Sequence, residues 1–366
     1  MKSNKEAYDQ HLRRMEKAIS LEKTDRIPVL ITTDSFWANH IDVKLSEFYD
    51  NDELSNQTIL DSFKEMGDVD AIDFCSSYSP ELRLRQLSSV KLHKHKLFKD
   101  KSCHINEKKL ITEDDYDTIL NKGFEYFFTD YVQNRLNINE IFKQPEYFST
   151  AQQKFKKEGY VACSTVFSSF EVDYLSAGRT LENFSRDLHK IPDKVYAVLD
   201  VIHEYHIKSL RQQIRNTKPF SVCVGAARGA SQFYSKKHWD RIVGKYYKAI
   251  ADMVIEEGSI VQWHIDGDYE RDLDFFRNFP KGKCIFAPAS IMDLYKIKEV
   301  LGDVMAIQCN TPPALLTLGT PDEVYDYCSN LVEDMGSGFI MGAGCCVPYN
   351  ANAENVQAMV AAATGR

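Results

Sequence analysis

The residues of this chain best suited to chemistry are a histidine, an aspartate and a few cysteines that follow short apolar runs. His264 and Asp266 stand two apart in Trp263-His-Ile-Asp-Gly267, so an extended chain points both to one side. Cys309 follows one later run, and Cys345 and Cys346 follow the last. An imidazole, a carboxylate and thiols meeting at one rim form a borderline-soft donor set that suits zinc. His-x-Asp is a short pattern, and no Cys-x-x-Cys pair strengthens it. The plainer alternative is a His264 that hydrogen-bonds in a polar mouth and a Cys345 that fills space. Cys346 is expected to point away from such a site.

Other residues are candidates for holding a ligand. Arg228 lies in Gly225-Ala-Ala-Arg-Gly-Ala230, where glycine lets a backbone approach a ligand closely and the guanidinium suits a carboxylate or phosphate. A tight turn with a solvent-facing Arg fits the same residues equally well. Phe36, Trp37, Tyr78, Phe167 and Phe170 are candidates for an aromatic pocket, against the commoner alternative of packing.

These positions need elements to hold them. Eight strand-length runs rich in Val, Ile and aromatics recur: 27–32, 71–75, 160–165, 220–224, 259–264, 283–286, 304–308 and 338–341. Most are continuously apolar, as in strands buried on both faces of a parallel sheet. Helical patterns separate them, over Pro192 to about Arg215, His238 to Glu257, Ser290 to Leu301 and Ala353 to Ala363. Thr320-Pro-Asp-Glu323 reads as a helix start with its capping box, and Gly336 as that helix's end. Eight strands alternating with helices predict one α/β domain over 1–366, a (β/α)8 TIM barrel. An insertion or cap over 80–155 follows strand two, with Phe124 and Tyr126 to Phe128 as a strand of a small hairpin. A doubly wound sheet would show a glycine-rich loop after its first strand, and Thr33-Asp-Ser-Phe-Trp37 has no glycine. In a barrel, chemistry sits at the carboxyl ends of the strands, where His264, Asp266, Arg228, Cys309 and Cys345 fall.

Composition narrows the function classes. The 366 residues are 43% hydrophobic and 27% charged with a net charge of −8, an ordinary globular balance that disfavours a nucleic-acid partner. The basic stretch Lys91 to Lys101 reads as a solvated hairpin or loop. No apolar run reaches membrane-spanning length, and the charged start is unlike a signal peptide. Nine scattered cysteines fit a reduced cytoplasmic protein better than a disulfide framework.

Several stretches resemble a known family in order along the chain. They are Arg14-Met-Glu-Lys-Ala-Ile19 with Asp25-Arg-Ile-Pro-Val29, Arg228-Gly-Ala230 with Phe233-Tyr-Ser-Lys-Lys-His-Trp239, and Trp263-His-Ile-Asp-Gly267. Asn310-Thr-Pro-Pro-Ala-Leu-Leu316, Gly319-Thr-Pro-Asp-Glu-Val324, Gly344-Cys345 and Glu354-Asn-Val-Gln-Ala-Met359 complete the set. Together they resemble the uroporphyrinogen decarboxylase superfamily, especially its corrinoid-linked methyltransferase branch, with the weakest likeness across 80–155. The resemblance implies a (β/α)8 barrel. Tetrapyrrole decarboxylation is not expected, because the Arg-rich start and the aspartate after strand two of those decarboxylases are not apparent. An acidic, aromatic first loop would also repel a polycarboxylate.

The branch that makes methyl-thiols holds zinc with His-x-Cys near strand five and a Cys after strand eight. Here the first motif is His264-Ile-Asp266, and Cys345 matches the later ligand. The His-x-Asp-Gly form is similar to the branch associated with methoxylated aromatic substrates. The resemblance thus implies zinc held by His264 and Cys345, with Asp266 and Cys309 as further candidates. It implies catalytic roles for His264 and Asp266, and a substrate bounded by Phe36, Trp37, Tyr78 and Arg228. The reaction implied is methyl transfer from a small methylated donor, a methoxylated aromatic, to the cobalt of a corrinoid on a partner protein. A homodimer is compatible with this. The alternatives are transfer from a methyl-corrinoid to a thiol of the coenzyme M type, and a metal-free, non-catalytic barrel.

Overall fold

The computed structural model describes residues 3–74, 89–91, 104–106, 108–135, 145–168, 170–225 and 227–365. Its strands are β1 Leu30–Thr32, β2 Ala71–Asp73, β3 Ser89–Lys91, β4 His104–Asn106, β5 Val161–Cys163, β6 Val166–Ser168, β7 Ser221–Val224, β8 Ile260–Ile265, β9 Cys284–Pro288, β10 Ala306–Thr311 and β11 Phe339–Ala343. Three lie side by side in the order β1-β2-β5, and six in the order β6-β7-β8-β9-β10-β11, every pair parallel. The two sheets meet twice. β5 runs into β6 across Ser164 and Thr165, and Val29 forms a parallel bridge to Met341 of β11. The Met341 amide donates to the Pro28 carbonyl, and the Val347 amide to that of Thr32, both at 2.8 Å. The result is an α/β TIM barrel whose third strand is interrupted by one left-handed residue, Ser164 at φ +49°.

Strand side chains alternate, so every second residue faces the barrel interior. The lowest inward layer is apolar: Leu30, Ala71, Val161, Ile285, Ala306 and Ile340 pack on Met15, Ala18 and Ile19 of the first helix, Asn4–Ile19, which plugs that end. Two residues on, the layer turns polar. Thr32 Oγ1 and Gln262 Nε2 both donate to Asp73 Oδ2, at 2.8 and 2.6 Å. Gln262 also donates to Gln308 at 3.0 Å, and Gln308 to Thr32 at 3.1 Å. This closed ring ties β1, β2, β8 and β10 together. One step further along β8 stands His264.

The helices obey local rules. Pro321–Met335 starts on a complete capping box between Thr320 and Glu323 and ends at Gly336, as its sequence predicts. Pro192–Thr217 carries proline in its first turn and buries Val195, Val198, Leu199 and Ile202 against the barrel. The pattern from 238 to 257 is realised as Lys236–Trp239, one π turn over Asp240–Gly244, and Lys245–Glu256. Among the described residues no helix is long and apolar enough to cross a membrane.

The insertion after β2 differs from expectation in one element. Phe124 and Tyr126 to Phe128 belong to a helix, Phe124–Asp130, and not to a strand. Aromatic residues favour strands in general. Here Phe124, Phe127 and Phe128 recur at helical spacing, and Phe124 packs on Tyr174 and Tyr205 with ring centroids 5.6 and 5.4 Å apart. The basic stretch is framed by the antiparallel pair β3–β4, with Val90 opposite Ile105. Residues 92–103 between them lie outside the described residues.

Candidate active site

Two strand ends on different sides of the barrel bring a compact donor cluster together. His264 stands in β8, Asp266 directly after it, and Cys345 and Cys346 follow β11. Cys345 Sγ lies 3.5 Å from His264 Nε2 and 3.5 Å from Asp266 Oδ1. His264 Nε2 is 3.8 Å from Asp266 Oδ1, and the two cysteine sulfurs are 3.9 Å apart. Donor atoms of His264, Cys345 and Cys346 all fall within 4.8 Å of one another.

Local backbone choices make this convergence possible. Gly225 ends β7, and a side-chain carbon there would overlap the carbonyl oxygen of His264. The absent Cβ lets the β7 loop pass directly beside the histidine. Cys345 adopts φ +67°, a left-handed conformation that costs a non-glycine residue about 1–3 kcal/mol. That turn also explains a departure from expectation. Cys346 faces the cluster instead of pointing away, because the left-handed residue before it breaks the alternation of an extended chain.

The electrostatics pair a sulfur with an imidazole. The Cys345 thiol is brought down to about 4 by the neighbouring Cys346 sulfur and by the His264 ring, against burial. Cys346 is pushed well above its ordinary value by Cys345 and by burial. Burial opposes charge on His264, but the Cys345 sulfur and Asp266 outweigh it and raise the ring to about 9. Burial lifts Asp266 to about 6 despite His264. Within this cluster, Cys345 thus holds negative charge beside a protonated His264, and a cation that displaces the ring proton would meet one sulfur and one nitrogen donor, a pair that suits zinc. Zinc bonds of about 2.3 Å to sulfur and 2.0–2.1 Å to nitrogen, at tetrahedral angles, place sulfur and nitrogen donors about 3.6 Å apart. The observed 3.5 Å between Cys345 and His264 matches that spacing.

The surroundings include residues that the sequence did not single out. Phe74, just past β2, takes φ +53° and sets its ring edge-on to His264, with centroids 6.4 Å apart. Phe167 of β6, one of the aromatic candidates of the sequence, lies 6.3 Å from Phe74. These half-buried rings wall the histidine. Asp73, one residue earlier, is fully buried, and its Oδ1 has no hydrogen-bond partner among the described residues. A bulky residue at positive φ, as Phe74 is, is not readable from a single sequence.

Other candidates are placed elsewhere. Phe36 and Trp37 have no exposed surface. They fall in a short helix, Phe36–His40, where Phe36 stacks on His40 and Trp37 meets Phe63 edge-on at 5.7 Å. They pack between β1 and the helix Asp52–Lys64, and they do not line the mouth. Phe170 is likewise buried, 4.7 Å from Tyr247. Arg228 donates to the carbonyl of Ser176 at 2.8 Å, and its amide to the buried Asp173 at 3.0 Å, so its loop is clamped to the helix Glu171–Arg179. Tyr78 lies outside the described residues. The backbone of Cys309 is in β10, and its side chain lies outside the described ones.

Comparison with known proteins agrees with this architecture. The family model described as uroporphyrinogen decarboxylase (URO-D) matches residues 163–365, the stretch that contains His264, Asp266, Cys345 and Cys346. No curated protein sequence matches the chain. Among solved structures, a methyltransferase from Methanosarcina mazei superposes with a TM-score of 0.72 at 16% identity, over 96% of this chain and 97% of that one. At that identity the match establishes the fold.

Proposed function

Because the chain belongs to the uroporphyrinogen decarboxylase family, and because its strand ends gather a zinc-type donor cluster in a barrel mouth, we propose that it is a metal-dependent methyltransferase. It transfers a methyl group from a small methylated donor, a methoxylated aromatic, to the cobalt of a corrinoid carried by a separate protein. The observation that carries this reading is the His264–Cys345 pair at 3.5 Å with Asp266 in reach of both. The similar fold of the Methanosarcina mazei methyltransferase supports it.

His264 and Cys345 would hold zinc, which when bound supplies Lewis acidity to the oxygen that loses its methyl group. The protein's own residues supply the rest. Phe74 and Phe167 give an apolar wall beside His264 for an aromatic ring. Asp266, which is 44% exposed, stands at the entrance as the group able to take up or release a proton beside the leaving oxygen. The polar ring beneath, from Thr32 through Asp73 and Gln262 to Gln308, fixes the strand that carries His264. Ile291 and Leu318, 68% and 84% exposed, follow β9 and β10 on the mouth side and suit contact with a protein partner.

A thiol as methyl acceptor is the second reading, favoured by the second sulfur, Cys346, at the cluster. The test is methyl transfer with purified corrinoid protein against a panel of aryl methyl ethers and thiols, followed by the absorption of the cobalt centre. The account expects turnover of aryl methyl ethers. Phe74→Ala should weaken that turnover by about 1–3 kcal/mol of transition-state binding while zinc content stays unchanged. Turnover of thiols alone would give the second reading its place, and no transfer with any donor would refute both.

A further inference from the structure

We propose that Cys346 is a metal ligand, so that His264, Cys345 and Cys346 hold the ion and Asp266 is the donor that yields its position to substrate. This rests on the metal-site reading above and names its ligand set.

Three observations carry it. The left-handed Cys345, at φ +67°, turns two sequence neighbours to the same side, which an extended chain cannot do. Their sulfurs are 3.9 Å apart, against about 3.8 Å for two thiolates on one tetrahedral zinc. Cys346, Cys345 and His264 present donors that all lie within 4.8 Å of one another.

Asp266 Oδ1, 3.5 Å from Cys345 Sγ and 3.8 Å from His264 Nε2, is a further donor beside these three, whereas a catalytic zinc keeps one position open. Exposure decides which one gives way. Asp266 is 44% exposed at the mouth, beyond the end of β8, whereas the His264 side chain is only 14% exposed. With two thiolates and a dication the held site is neutral, and Asp266 then serves as an exchangeable fourth donor.

The test is spectroscopic and needs no corrinoid. The purified full chain is loaded with Co(II) as a stand-in for zinc, and the thiolate-to-cobalt charge-transfer absorption is measured per bound metal. Cys346→Ser should halve that absorption and weaken zinc binding by more than the about 10–100-fold typical of losing an outer-shell partner. Asp266→Asn should leave the absorption unchanged and retain zinc. X-ray absorption at the zinc edge of the unmutated protein should find two sulfur neighbours per ion, a readout independent of how any variant folds. One sulfur per ion, or unchanged absorption in Cys346→Ser together with metal loss in Asp266→Asn, would overturn the ligand set while leaving metal-dependent transfer standing. A protein that binds neither ion would overturn both.

Discussion

Trp37 separates packing from chemistry at the scale of a single side chain. It follows β1 on the mouth side, but it is fully buried against Phe63. Trp37→Ala should therefore cost about 3–5 kcal/mol of stability, as emptying a large buried site does, while the folded fraction keeps its kinetics. Denaturant unfolding beside steady-state rates checks this, and a change in substrate turnover without loss of stability would contradict it. The residues that were legible in the sequence are those whose role follows from strand alternation. His264 and Asp266 close one such run, Cys345 follows another, and their donor atoms lie 3.5–3.8 Å apart. The residues that were not legible depend on backbone turns that their side chains do not advertise. Phe74 and Cys345 both take positive φ without being glycine, and those turns bring Phe74 and Cys346 into the site.

Among the elements, the helix Glu171–Arg179 is fastened to Pro192–Thr217 by one buried carboxylate. Glu171 Oε1 accepts from His203 Nδ1 at 2.6 Å and from His206 Nδ1 at 2.9 Å. Burial would raise its pKa, but the two imidazoles outweigh burial and hold the folded value at about 2, below the ordinary 4.5. A depressed carboxylate contributes stability that is complete above its unfolded value and lost as pH falls through its folded value. The protein should therefore lose this contribution between about pH 4.5 and 2. Glu171→Gln should lower stability at neutral pH by about 1.5–3 kcal/mol and flatten the decline across that window, as read by thermal unfolding at a series of pH values. An identical acid slope in the variant would contradict the assignment. Strands and caps were the most readable elements, since apolar runs and the Thr320–Glu323 box act locally. The aromatic run at 124–128 misled because its partners, Tyr174 and Tyr205, lie far along the chain. The break between β5 and β6 at Ser164 carries no sequence signal of its own.

For the molecule as a whole, the barrel was readable because eight apolar runs alternate with helices, and a parallel sheet built that way closes. What the pattern did not reveal is the polar ring across the interior, where Asp73 accepts from β1 and β8 and Gln308 completes the circuit. A barrel interior is ordinarily filled with branched apolar side chains. Here an apolar floor lies below, a hydrogen-bonded layer sits in the middle, and the donor cluster stands at the top, so the position of His264 is set by strands on several sides. On the proposed function, this mouth holds a metal ion between β8 and β11. The most direct measurement is an anomalous difference map at the zinc edge from crystals of the purified protein. One peak per chain is expected, within bonding distance of His264 Nε2 and Cys345 Sγ. No peak, or a peak remote from both residues, would contradict it.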